Sequence, residues 1–258
     1  MNLPFMNNKI IVELKNVLFL MLAFSAIVSL IYISSWWSTF NQKMIIKRII
    51  FSETKILESH HYSNLLDEYL GKNLDETNLK VISNNIENHP YIQAARVSKK
   101  YPSKIKVEVI EREPIAILQI DPMVLLDKEG YVLPDAGNLK NYNLPIMTNF
   151  NTENNLYPPG EKAMSLNVKK CIYWLNKIKK HYYSLYENLS EMKMTASNEM
   201  QLILSEQPTH IYLGVDEIWM RLNTLKNFET KLNHKKLSDF NYLDMRYDNQ
   251  IIVKSRSL

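Results

Sequence analysis

Six histidines, one cysteine and three closely spaced glutamates are the side chains of this chain with most scope for chemistry. The histidines are His60, His61, His89, His181, His210 and His234. No two stand four apart, as two ligands on one helical face would, and no cysteine lies near them, so no metal site is encoded. His60 and His61 are adjacent at the start of a surface helix and read as solvated. Cys171 is the sole cysteine, which excludes an internal disulfide and leaves stability to core packing. There is no glycine-rich phosphate loop and no Gly-x-Ser-x-Gly elbow. Glu108, Glu111 and Glu113 have the spacing of an acid/base set, but strand alternation puts Glu108 on the opposite face from the other two. They read as charges on an exposed strand face. The expectation is a protein without catalytic residues, metal or cofactor.

Charge narrows the class further. The formal net charge is +4, with basic residues scattered among acidic ones, which argues against nucleic acid. Lys169, Lys170, Lys177, Lys179 and Lys180 cluster, but on a helix whose apolar face is elsewhere, and read as a solvated face.

The elements that would position such groups follow from periodicity. Ile45 to Phe51 is β-branched and bounded by polar residues, a strand. Tyr62, Leu65, Leu66, Tyr69 and Leu70 recur at helical spacing, with Gly71 as a stop. Asp75 precedes a second helical stripe, Leu79, Ile82 and Ile86, ended by His89-Pro90. Tyr91 to Val97 and Lys104 to Arg112 read as strands joined by a turn at Tyr101-Pro102-Ser103. Ile105, Val107 and Val109 share one strand face and are expected to bury against Leu65, Leu66, Leu79 and Ile82. This order, strand-helix-helix-strand-strand, makes a compact α+β unit: a three-stranded sheet with two helices on one face. Further strands are expected at Pro114 to Leu118, Met123 to Leu126 and Tyr131 to Leu133, with a turn at Asp127 to Gly130. A polar loop spans 149–160. Beyond it come a helix from Ser165 to His181, strands at Met192 to Thr195, Met200 to Leu204 and His210 to Leu213, and a helical stripe from Ile218 to Leu232. Tyr242 to Tyr247, a turn at Asp248-Asn249 and Gln250 to Lys254 complete the pattern.

All of this is preceded by one membrane-length apolar run. Val17 to Ser34 carries no charge and no proline, and its residues reach about 27 Å as a helix, close to the hydrocarbon thickness of a bilayer. Tyr32, Trp36 and Trp37 sit at its far end, where amphipathic rings favour the headgroup layer. The exit is bulky for a signal-peptide cleavage site, so an uncleaved anchor is the expectation. Lys9 and Lys15 on one side balance Lys43, Lys47 and Arg48 on the other, so charge does not set the orientation.

The stretch Val97 to Leu118 resembles the FtsQ/DivIB family of bacterial division proteins. It carries a valine-bearing strand (Val97), an aromatic-proline turn (Tyr101, Pro102), alternating valines (Val107, Val109), then Glu111, Arg112, Pro114 and Ala116. His89-Pro90-Tyr91-Ile92 stands ahead of it, and Asp127 to Gly130 and Leu144-Pro145 follow. Ile211 to Gly214, Leu243 to Tyr247 and Gln250 to Val253 continue the likeness. Two departures are the missing glycine after the first strand, where Phe51-Ser52-Glu53 stand, and a very short N-terminal tail.

The resemblance implies a cytoplasmic N-terminus over 1–16, a transmembrane helix over 17–37, a POTRA domain over 44–118 and a mixed β domain with flanking helices over 119–258. It implies a single-pass inner-membrane protein whose extracytoplasmic body sits at the septum. The role implied is a non-catalytic divisome scaffold linking FtsB and FtsL to septal wall synthesis. The last strand, followed only by Ser255 to Leu258, is expected to be a sheet edge. In the family this is where FtsB adds a strand, so Arg246, Tyr247, Gln250, Ile251, Ile252 and Val253 are the implied contacts. Arg246 would meet an acidic residue, Tyr247 would be an aromatic anchor, and one of the three apolar strand residues would face inward. Two other classes fit the residues less well: a POTRA-bearing envelope assembly protein, which would carry repeats or a barrel, and an anchored wall-modifying enzyme.

Overall fold

The computed structural model describes residues 8–41, 44–137, 142–248 and 250–256. Helix α1, Asn8–Asn41, runs 34 residues. Its segment Glu13–Trp37 is long and apolar enough to cross a membrane, with mean hydropathy 2.5 and none of it buried by the rest of the chain.

The body is α+β. Strand β1 (Arg48–Phe51), a helical turn α2 (His60–Ser63) running into a 3-10 helix (Asn64–Tyr69), helix α3 (Leu79–Glu87) and strands β2 (Ile92–Lys100) and β3 (Lys104–Glu111) form the first unit. Its sheet has the order β1-β3-β2. β1 runs parallel to β3, which is why the helices intervene between them, whereas β2 and β3 are an antiparallel hairpin. The tip carries a cis Tyr101-Pro102 bond.

Two expectations shift here. Hydrogen-bonded pairing in β1 begins only at Arg48, because residues 44–46 are zipped instead to the loop after the 3-10 helix: Ile46 N–H to Lys72 O, Gly71 N–H to Ile46 O and Leu74 N–H to Met44 O, at 2.8–2.9 Å. The first helix tightens to 3-10 geometry, in which residues three apart share a face. Leu66 and Tyr69 are buried, while Leu65 is turned outward at 37% exposure. Helix α3 is capped by Asn78, whose side chain accepts from Lys80 N–H at 3.0 Å. The core holds Tyr62, Leu66, Ile82, Ile86, Ile105 and Val107, with Leu79 and Val109 packed at its margin.

The second unit is a nine-stranded mixed sheet. Its strands are β4 (Pro114–Leu118), β5 (Val124–Asp127), β6 (Val132–Pro134), β7 (Ile146–Thr148), β8 (Leu189–Met194), β9 (Met200–Leu204), β10 (His210–Gly214), β11 (Phe240–Asp244) and β12 (Ile252–Ser255). Their order is β12-β11-β10-β9-β8-β7-β4-β5-β6. Helices α4 (Leu166–His181), α5 (Tyr183–Glu187) and α6 (Ile218–Thr230) accompany it. Ser165 caps α4, accepting from Val168 N–H, and the helix buries Val168, Cys171, Ile172, Leu175 and Ile178. Burial pushes the Cys171 thiol up to about 12, leaving it an inert core residue.

β4, grouped with the first unit in the sequence reading, pairs with β5 and β7 of the second sheet. The β4-β5-β6 meander has two buried faces. Ala116, Leu118, Leu126 and Val132 pack in the second core; Ile117, Leu125 and Leu133 pack in the first. Tyr91 Oη–H donates to Pro134 O at 2.7 Å across the same joint. The two units are thereby welded through one shared layer.

Candidate partner-binding edge

An open sheet edge exposes a row of backbone donors and acceptors, so how each edge is treated separates structure from docking surface. The β6 edge is covered. Val132 N–H donates to Glu161 O and Gly160 N–H to Val132 O, both at 2.8 Å, while Ala163 N–H reaches Gly130 O at 2.9 Å. The β2 edge is plugged from α3, where Ser83 Oγ–H donates to Ala95 O at 2.7 Å and Ala95 N–H donates to Glu87 Oε1 at 2.9 Å. β12 pairs with β11 on one side only and ends the sheet. Its residues 252–255 are all exposed, Ile252 and Val253 among them. Ile251 is the inward-facing member of the apolar trio, packed against the second core.

The strand before this edge ends earlier than its sequence suggests. β11 stops at Asp244, whose carboxylate turns back onto Arg246: Arg246 Nε–H reaches Oδ1 at 2.9 Å, Nη2–H reaches Oδ2 at 2.7 Å, and the backbone N–H of Arg246 reaches Oδ1 at 3.1 Å. Bidentate pairing of this kind fixes the guanidinium plane. The bonds from Arg246 hold the Asp244 carboxyl below its usual range, and Asp244 in turn raises the arginine. The remaining Nη1 lies 3.2 Å from Glu199 Oε2, and the guanidinium sits 5.2 Å from the centre of the Tyr212 ring. Arg246 thus enters any interface already oriented by its own chain.

Beneath it, Arg221 donates from Nη1 to Leu213 O at 2.5 Å. Gly214 beside it has φ +75°, and a β-carbon there would run into the Arg221 guanidinium. The glycine that ends β10 is therefore required by its conformation, and a β-carbon there would also displace the Arg221 side chain. Tyr247 is 49% exposed, and it borders a groove of about 360 Å³ together with Met220, Arg221, Thr224, Met245, Gln250 and Ile251. Asn249 lies outside the described residues. Arg246, Tyr247 and the edge strand are brought to one end of the sheet. Glu199, Asp244 and Arg221, which shape that end, are side chains the sequence reading did not select; an acidic residue two before an arginine was the available signal.

The other motif residues lie at the joint and the hairpin. Tyr101 and Pro102 form the exposed hairpin tip, with Tyr101 Oη–H on Asp75 Oδ1 at 2.7 Å. Glu111 is not a solvated strand charge. It accepts from the backbone N–H groups of Lys55, Ile56 and Leu57 at 2.5–3.0 Å and from the Tyr62 hydroxyl at 2.6 Å. Burial pushes its carboxyl up, but those four donors together outweigh it and hold it below the usual range. Arg112, which alternation puts on the strand face opposite Ile105 and Val107, is buried and pairs with Asp127 at 2.9 Å with its guanidinium stacked 3.4 Å above the Tyr131 ring. Pro114 and Ala116 are buried in β4, and Gly130, at φ +83°, returns its N–H to Asp127 O at 3.0 Å. Glu108 pairs with Lys106 and Glu113 is exposed, so the three glutamates never meet. Among the described residues no group of three His, Cys, Asp or Glu side chains could hold a metal ion.

Comparison with known proteins gives the same two-part division. Residues 45–112 match the POTRA domain, FtsQ-type, and residues 113–254 match the FtsQ/DivIB, C-terminal related family. The cell division protein FtsQ of Syntrophotalea carbinolica is 24% identical over 209 residues, 81% of this chain and 73% of that protein. The cell division protein DivIB of Clostridium tetani is 26% identical over 162 residues, covering 62% and 57%. A shorter match, 41% over 68 residues and 26% of each chain, is to the cell division protein FtsQ of Rickettsia bellii.

Proposed function

The chain belongs to the FtsQ/DivIB family of cell division proteins, and from that premise we propose that it is a non-catalytic scaffold of the divisome. In this reading α1 is a single-pass anchor in the plasma membrane, with the N-terminus cytoplasmic and the body extracytoplasmic at the septum. The FtsB–FtsL pair docks at the β12 edge, coupling it to the septal wall synthesis machinery. The observation that carries this is the contrast between edges. In the nine-stranded sheet the chain spends the 160–163 segment on the β6 edge but leaves the β12 edge open beside an exposed aromatic and a pre-oriented arginine. Strand addition there would supply backbone hydrogen bonds, with Tyr247 as the anchor in its groove.

The test is a binding isotherm of the full chain in detergent against a peptide from the extracytoplasmic part of FtsB, alongside a melting curve. Tyr247→Ala is expected to weaken binding about 30-fold, the loss of a hot spot of roughly 2 kcal/mol, and removal of residues 250–258 to abolish it. Unchanged affinity in both variants, with unchanged melting, would move the partner off this edge.

A further inference from the structure

The first unit is polarised along its strands. β1 and β3 run parallel, so both begin at the end where the chain leaves α1. That end carries Lys47, Arg48, Lys72, Lys100 and Lys104, all exposed; the far end of β3 carries Glu108 and Glu111. Lys47 N–H donates to Ser103 O at 2.9 Å, which ties the residue following the anchor to the tip of the β2–β3 hairpin. Arg48 lies in register with Lys104, and Lys104 with Lys100, so three cations sit side by side across the sheet. Among the described residues Lys47, Arg48, Lys100 and Lys104 have no ion pair, while Lys72 has Glu68 at 3.8 Å. Of the other acidic groups here, Asp75 is engaged by Tyr101 and by its backbone with Lys99, and Glu76 accepts from the Asn73 side chain.

The anchor brings this end close to lipid. α1 ends at Asn41, and Met44 is already in the core of the first unit. From Trp37, where the apolar segment ends, four helical residues and three extended ones span at most about 16 Å, about two Debye lengths at physiological salt. Like charges packed in neighbouring strands repel one another, an arrangement that gains when an anionic surface faces it.

We propose that the basic end of the first unit, from Lys47 and Arg48 to Lys100 and Lys104 with the Tyr101 ring, rests on the anionic phospholipid headgroups of the leaflet from which α1 emerges. The inference uses the anchor reading above. Lysine and arginine meet the phosphates, and the exposed tyrosine, an amphipathic ring, sits at headgroup level. The body would then be held against the bilayer by contacts at the hairpin tip as well as by α1.

The experiment is amide hydrogen exchange of the full chain in lipid nanodiscs. Discs of pure phosphatidylcholine are compared with discs containing phosphatidylglycerol, at low and high salt. Phosphatidylglycerol is expected to slow exchange across 99–104 several-fold, an effect lost at high salt. It should also be lost in a Lys47→Gln, Arg48→Gln, Lys100→Gln, Lys104→Gln variant whose Ile105–Val107 amides stay as protected as in the parent. Equal exchange of the tip in both kinds of disc would overturn the proposal. So would the same protection produced by inorganic phosphate in phosphatidylcholine discs, which would mark a soluble-anion site. A chain that never enters discs would instead refute the anchor reading, so the two failures are distinguishable.

Discussion

Arg112 and Asp127 form an ion pair of 2.9 Å with side-chain exposures of 9% and 3%, joining the residue after β3 to the end of β5. Asp127 Oδ1 also accepts from the N–H groups of Glu129 and Tyr131, and Arg112 Nε is buried without a partner. The pair is thus costly to keep and costlier to break. Arg112→Ala is expected to lower stability by about 3–5 kcal/mol by leaving the Asp127 charge buried without its counter-charge. The double change Arg112→Met, Asp127→Leu should recover much of that loss. Denaturant midpoints of the full chain at constant slope would measure both. A single variant as stable as the parent would show that the pair contributes nothing to the joint.

Glu111 gathers three backbone N–H groups and the Tyr62 hydroxyl, so Glu111→Gln should cost about 1–3 kcal/mol at neutral pH. The carboxyl lies below its usual value of 4.5 in the folded chain. Between the folded value and 4.5 the unfolded chain holds a proton that the folded chain has released. Stability from Glu111 is therefore complete above 4.5 and is lost as pH falls through the folded value. The difference in stability between parent and variant should shrink over that window. A difference independent of pH would mean that the charge of Glu111 is not what the loop recognises.

Val107 is fully buried between the two helices and the sheet. Val107→Asp would place an unpaired charge there, costing several kcal/mol against a total stability of about 5–15. Because the first core also contains Ile117, Leu125 and Leu133 of the second sheet, the loss should be read on the whole body. Circular dichroism melting of the full chain tests it. A melting temperature within a degree or two of the parent would refute the packing.

The orientation proposed for α1 places residues beyond it outside the cytoplasm. A periplasm-dependent phosphatase fused after Leu258 should be active, and one fused before Val17 inactive. The reverse pattern, or a mature chain beginning near Trp36, would overturn it.

Much of this architecture was legible in the chain. The stripe Val168, Ile172, Leu175 and Ile178 announced α4 through its period, a local property. The alternation of Ile105 and Val107 gave the inward face of β3 for the same reason. What escaped is set by tertiary context. β7 is three residues long and exists only because β4 and β8 flank it. The 160–163 segment reads as loop, and its role in closing the β6 edge comes from strands distant in sequence. Alternation assigned Glu111 and Arg112 to a face without saying what covers it, so a carboxylate in a ring of donors and a buried ion pair both passed for surface charge. At the candidate edge, the resemblance pointed to Tyr247 and the apolar trio but left open which of the three faces inward, and it is Ile251. The end of β11 was not legible, since it depends on Asp244 turning back to Arg246.

The shared β4-β5-β6 layer has a mechanical consequence. A body made of two beads on a string would let a captured peptide swing freely, whereas here the long sheet is cantilevered from the first unit. From β6 to β12 the strands step across roughly 40 Å at about 4.8 Å each, with no articulated joint among them. Whatever docks at the far edge is therefore presented at a set height and bearing. A pull applied there passes through the shared layer into the first unit without a hinge between the two sheets.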